Sequence, residues 1–284
     1  YCKTHKLMNR FKKDAEAHHQ FLEEQKELKK IEDQISNSTA NRIIYTIPLV
    51  FHVLHNGGVE NISRAQIEDA VAILNRDFRL LNADANTVQS VFAGMPSDIE
   101  VEFQLATKAP NGQCFSGITR TQNPITNSGA NGQSQVSAII AGNDVYNSAW
   151  PGNKYLNIFV VNDADGAAGY TTNPNNGWTS TTMGNGIWVL HDYVGSIGTS
   201  DIYSSRTLTH EVGHWLNLDH LWGNNNNPGT PTSCTQDDAV DDTPRCIGVT
   251  SCNLNSNTCS NDAIDGYWTS DVIDNVENYM EYSY

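Results

Sequence analysis

The chain has 284 residues, with 17 Lys/Arg against 32 Asp/Glu and a formal net charge of −15, long enough for one large domain or a domain with a small appendage. So acidic a protein argues against nucleic acid and anionic membrane surfaces as partners, because both demand cationic charge. No apolar run is long enough to cross a bilayer, so membrane insertion is not expected.

The charge is uneven. Residues 1–35 hold eight Lys/Arg and seven acids, a net of +1, which leaves −16 on the other 249 residues. Residues 7–35 are charged and helix-forming, with Phe11, Phe21, Leu22, Leu28 and Ile31 as scattered apolar contacts, and read as a solvated helical arm. Asn37-Ser38-Thr39-Ala40-Asn41 ends that pattern as an exposed linker. Ile44–Leu54 is apolar and β-branched and predicts a strand entering the core. Ser63-x-x-Gln66 is a candidate capping box. Behind it Ile67, Val71, Leu74, Phe78 and Leu81 recur at three- and four-residue steps, predicting a long amphipathic helix against a sheet. Ile99–Thr107, Tyr155–Val161 and Gly186–His191 predict further strands, the last just before a helix at roughly 205–217. From Leu221 onward periodicity gives way to Gly, Asn, Pro and Cys.

Cys2 and Cys114 stand apart, whereas Cys234, Cys246, Cys252 and Cys259 fall within 26 residues and form no CxxC pair. That spacing predicts a disulfide-stapled loop region, with its connectivity open, and an oxidising compartment. The chain is therefore expected to be secreted, an export signal having been removed ahead of Tyr1.

The chemistry concentrates in His210-Glu211-Val212-Gly213-His214-Trp215-Leu216-Asn217-Leu218-Asp219-His220. On a helix His210 and His214 project from one face about a turn apart, so both imidazoles reach one zinc ion. Glu211 is rotated by roughly 100° from His210 and can lean over the metal to take a proton from bound water. His220 reaches the same ion only if the chain turns sharply, and Asn217 is the residue suited to that turn, because asparagine tolerates the left-handed conformation that ends helices. Three histidines leave one position for water, the arrangement of a catalytic zinc site.

HEVGHWLNLDH resembles the metzincin signature HExxHxxGxxH, with Asn217 where glycine is usual. Asn278-Tyr279-Met280-Glu281-Tyr282 resembles the Met-turn of the same clan. Trp215-Leu216, the run Asp238-Ala239-Val240-Asp241-Asp242-Thr243-Pro244 and the NYMEY ending make the chain similar to the pappalysin family from Cys2 to Tyr284. The resemblance implies an α+β metzincin-like fold: a twisted mixed β-sheet with long backing and active-site helices above the cleft, and an irregular disulfide-stapled lower subdomain. The expected divisions are a prosegment at 1–41, an upper catalytic subdomain at 42–220 and a lower one at 221–284.

The same resemblance implies a monomeric zinc endopeptidase acting on protein or peptide substrates. His210, His214 and His220 are the implied zinc ligands and Glu211 the general base and acid. Met280 is the apolar floor, and Tyr282 the hydroxyl offered to the oxyanion. Gly186, Ile187, Trp188 and Val189 are expected as the upper rim strand to which an extended substrate adds; the alternative is an ordinary interior strand. Cys2 is implied as a switch whose thiolate takes the open zinc position, making the prosegment an intramolecular inhibitor; a disulfide or a disordered tail is the alternative. Activation is then expected at Asn41–Arg42. Asp238, Asp241, Asp242 and Thr243 are implied calcium ligands, with a solvated acidic turn as the other reading. With Cys2 reserved for zinc, five cysteines remain, so the C-terminus is expected to be truncated or processed. The competing function is a catalytically silent binding module of the same fold.

Overall fold

The computed structural model describes residues 2–36, 43–174, 183–264 and 266–283. Its helices and strands run in the order α1 (Thr4–Phe11), α2 (Ala15–Ser36), β1 (Tyr45–His55), α3 (Arg64–Phe78), β2 (Val101–Leu105), β3 (Ile118–Gln122), α4 (Gly132–Gly142), β4 (Leu156–Val161), β5 (Gly169–Tyr170), β6 (Ile187–Leu190) and α5 (Thr207–Trp215).

β1 organises the sheet. Its first half pairs with β2 and its second half with β3, both parallel, while Leu49–Val53 pair in parallel with β4 on the opposite edge. β6 follows β4 in parallel, and the two-residue β5 closes the order antiparallel to β6. Leu49–Leu54 and Leu156–Val161 are buried throughout, the near-continuous apolar pattern of strands covered on both faces. Leu49, Phe51 and Val53 pack with Ile67 and Leu74 of α3 and with Leu208 and Val212 of α5. Val50 and Leu54, on the other side of the pleat, pack with Val136 and Ile139 of α4 and with Trp150.

Several predicted elements hold, and the differences have local causes. Ser63 caps α3 by accepting from Gln66 N at 3.1 Å. The Gln66 side chain completes no capping box; it donates to His191 O and Val194 O, tying α3 to the loop after β6. The expected solvated arm is two helices. Asp14 breaks it by accepting from Glu16 N and Ala17 N at 3.0 and 3.1 Å, an N-cap for α2. Nor is α1 solvated, since Thr4, His5 and Met8 are buried. The linker at 37–41 and the Asn41–Arg42 bond lie outside the described residues.

Beyond Leu221 the regular elements are 3₁₀ turns at Pro231–Thr235 and Asp262–Ile264. Carboxylates satisfy backbone donors that a ladder would otherwise take: Asp262 accepts from Arg245 N and Val272 N, and Glu281 from Val249 N and Tyr282 N. Cys234 and Cys259 form a disulfide, whereas Cys246 is buried and free, and Cys114 and Cys252 are exposed and free.

His52 of β1 faces the α4 side, hydrogen-bonded to Thr119 Oγ1 at 2.8 Å and Asn157 Oδ1 at 3.0 Å. Burial lowers its pKa from 6.5 to about 4. The unfolded chain therefore binds a proton that the folded chain refuses between those values. The corresponding stability is complete above pH 6.5 and is lost as pH falls toward 4, by at most about 3 kcal/mol. Thermal unfolding of His52→Gln should lose less stability across that window than the parent chain does. Parallel curves would contradict this.

Candidate active site

α5 carries His210, Glu211 and His214, all buried, with the two histidines on the face turned away from Leu208 and Val212, which pack on the sheet. Helix termination follows from two backbone bonds, Leu218 N to Gly213 O at 3.0 Å and Asn217 N to His214 O at 2.9 Å, a Schellman ending. Asn217 takes the left-handed position at φ +80°, and the reversal brings His220 back beneath the helix. Asn217 also reaches outward: its Nδ2 donates to Gln25 Oε1 of α2 at 3.0 Å.

Each histidine is fixed by a carbonyl. Nδ1 of His210 bonds to Tyr279 O at 2.7 Å, that of His214 to Leu218 O at 2.7 Å, and that of His220 to Asn225 O at 2.9 Å. A carbonyl only accepts, so Nδ1 carries the proton and each Nε2 presents a lone pair. The lone pairs converge. Nε2 of His214 and His220 are 3.2 Å apart, and Nε2 of His210 is buried without a partner. Protonation is no remedy, because burial lowers the pKa of His210 to about 4 and holds those of His214 and His220 well below 6.5. Neutral imidazoles aimed at one point are the donor set of a zinc ion, each oriented by an outer hydrogen bond. Cys2 Sγ joins them, the four ligand atoms all lying within 4.8 Å of one another. Among the described residues this is the one such cluster of three or more His, Cys, Asp or Glu.

Cys2 is seated as a strand residue, bridged in parallel to Gly169 of β5. Its Sγ lies 3.4 Å from Glu211 Oε2, and Thr4 Oγ1 is 3.1 Å from the sulfur. Burial, then the charge of Glu211, raises the thiol's pKa well above 9.0, so a thiolate here calls for a cation beside it. Burial likewise pushes Glu211 up to about 8. Tyr282 OH accepts from Cys2 N at 3.0 Å and donates to Cys2 O at 3.1 Å. Met280 packs directly beneath Gly213, where any Cβ would meet its sulfur, and shares an apolar cluster with Trp222, Cys246 and Tyr282.

The rim is arranged differently from the sequence expectation. β6, with Ile187, Trp188 and Val189, has β4 on one side and β5 on the other, and Gly186 precedes it against Phe159, so this strand is interior. The outer edge belongs to β5, whose Gly169 lets Glu211 approach; a Cβ there would come within 2.9 Å of Glu211 Cγ. A two-residue strand leaves too little periodicity to be read from sequence. No sequence motif marks His5. It is 1% exposed, its ring centroid lies 4.8 Å from that of His220, and its Nε2 is 3.7 Å from Asp219 Oδ1. Of the loop acids, Asp238 is buried and its carboxyl is pushed up to about 8 by that burial. Asp241 is exposed, and Asp242 and Thr243 are half-buried. The three acids do not converge as a cluster of ligand atoms.

The peptidase M43 family profile, described as pregnancy-associated plasma protein-A, matches residues 140–284. The chain belongs to the peptidase M43 family. It is similar to mature mirolysin of Tannerella forsythia, solved with a cleaved peptide: 33% identity, a TM-score of 0.69, and coverage of 86% of this chain and 85% of that one. Similarity to a promirolysin mutant of the same organism covers 100% of this chain and 87% of that one, at 28% identity and a TM-score of 0.76. An extracellular metalloprotease of Arthroderma otae is 29% identical over 243 residues, 84% of this chain and 70% of that protein. The chain is thus an M43 metalloprotease with a zinc-binding histidine triad on an α+β, metzincin-like fold.

Proposed function

We propose that this M43 chain is a secreted zinc endopeptidase held latent by its own N-terminal segment. Residues 1–41 are the prosegment, 42–220 the upper catalytic subdomain and 221–284 the lower. The observation that carries the proposal is the meeting of three Nε2 lone pairs with Cys2 Sγ at one buried point. Cys2 fills the coordination position that catalysis requires open, while its backbone occupies the β5 edge and the Tyr282 hydroxyl.

His210, His214 and His220 hold the zinc, which when bound supplies a Lewis acid that polarises a carbonyl oxygen and acidifies water. Once residues 1–41 are released, for which Asn41–Arg42 is the proposed cleavage point, an extended peptide takes the strand position that Cys2 held against Gly169. Glu211 accepts the proton of the attacking water and delivers it to the leaving amine. Tyr282, free of Cys2, donates to the oxygen on which negative charge develops. Met280 supports the helix from below. Mirolysin's capture with a cleaved peptide supports peptide substrates here.

Calcium is the second proposed ion. Asp238 is buried beside Asp237 with its carboxyl pushed up to about 8, a cost that a hard cation would offset; Asp241 and Asp242, which do not converge with it in this structure, would have to close on the ion together with Thr243 to complete an oxygen ligand set.

After removal of the prosegment, Glu211→Ala should retain stoichiometric zinc and lose about 10²–10⁴-fold in cleavage of a fluorogenic peptide. Full activity in that variant would sink the proton-transfer role. An inactive parent enzyme with zinc bound would favour the silent binding module. A calcium-specific chelator should lower the unfolding temperature of the full chain; an unchanged transition would contradict the calcium assignment.

A further inference from the structure

The three histidines are not supported alike. His214 and His220 donate to carbonyls only four and five residues away, at Leu218 and Asn225. His210 donates to Tyr279 O, 69 residues on and in a different segment of the chain. Its ring direction therefore depends on how the Met-turn is held against α5. A carbonyl displaced by even an ångström would release Nδ1 and leave the Nε2 lone pair free to swing.

One side chain spans that junction. Arg206, the residue before α5, lays its guanidinium over the Tyr279 ring, with Cζ 5.1 Å from the centroid. The guanidinium is itself gripped from outside. Nη1 lies 2.6 Å from Asp84 Oδ2, and Nη2 donates to Asp84 Oδ1 at 2.7 Å, a bidentate pair. On the inner side its Nε is 3.9 Å from Asp77 Oδ2, and that same oxygen accepts from Thr209 Oγ1 of α5 at 2.8 Å. The Arg206 carbonyl also accepts from His210 N at 3.0 Å. Four separate parts of the chain meet here: α3 through Asp77, the turn carrying Asp84, the start of α5, and the Met-turn.

We propose that Arg206 is a positioning residue for His210: clamped by Asp84 and Asp77, it presses on Tyr279 and holds the Tyr279 carbonyl against His210 Nδ1. This rests on the assignment of His210 as a zinc ligand. Outer hydrogen bonds of this kind set imidazole orientation, and their loss typically weakens metal affinity about 10–100-fold. Lysine is a poor substitute, because a point charge neither pairs bidentately with Asp84 nor stacks flat on Tyr279.

The test is zinc affinity of the full chain by chelator competition, with thermal unfolding of the zinc-free protein measured in parallel. Arg206→Met should weaken zinc binding about 10–100-fold, and Arg206→Lys should restore only part of it. After prosegment removal, kcat should fall with KM close to that of the parent. A folded Arg206→Met chain whose zinc affinity stays within about twofold of the parent overturns the proposal, even if its zinc-free form is less stable, since a purely structural role moves stability alone. If Arg206→Met does not fold, Asp84→Asn loosens the clamp from its exposed side. It should weaken zinc binding several-fold, and unchanged affinity again overturns the proposal. A parent chain that binds no zinc would instead overturn the zinc assignment itself.

Discussion

Three Nδ1–H groups donating to three backbone carbonyls are the constraint from which the rest of the site follows. Those bonds fix the tautomers, and the tautomers force three lone pairs toward one another in a buried space. Without a cation the arrangement is costly, because neither imidazole of the 3.2 Å His214–His220 pair can donate to the other. The fold supplies the carbonyls from three places: the reversal after α5, the loop beyond His220 and the Met-turn. The lower segment, poor in regular structure, is thus fastened to α5 through the histidine cluster and the His210–Tyr279 bond, while the Cys234–Cys259 disulfide and the carboxylates that satisfy its backbone tie it together internally.

In the proposed mechanism, the N-terminal segment uses the parts that a substrate needs. Cys2 sits on the β5 edge, its sulfur faces Glu211, and its peptide group engages the Tyr282 hydroxyl in both directions. His5 packs on His220 beside Asp219, and Gln25 of α2 receives the Asn217 side chain. In the proposed latent state, closure is therefore spread over several contacts along α1 and α2. The sulfur blocks the chemistry, and the helices add contact area around it. Asn217 takes part in both, since it makes the turn and touches α2 of the proposed prosegment.

Much of this was legible in the sequence where a single periodicity or spacing carried the information. The HExxH spacing on one helical face, the αL-tolerant Asn217, the Ser63 cap and the apolar runs of β1 and β4 each translate directly into geometry. What escaped depends on pairing across the fold. β3 alternates threonines with a charged residue and reads as polar, yet Thr119 and Thr121 are buried against the α4 side. β5 is two residues long and owes its position to β6. Gly186–Val189 reads as a rim because its sequence is that of a strand, but strand order is a property of partners, and β5 takes the outer place. His5 and Thr4 look solvated among lysines; only docking against residues more than 160 positions away buries them. Arg206 carries no motif at all, and its contacts come from three distant segments.

The most direct test of the central claim is X-ray absorption at the zinc edge of the intact, purified chain. The account predicts one zinc per chain with three nitrogen ligands and one sulfur. Three nitrogens and an oxygen, with no sulfur scattering, would contradict it.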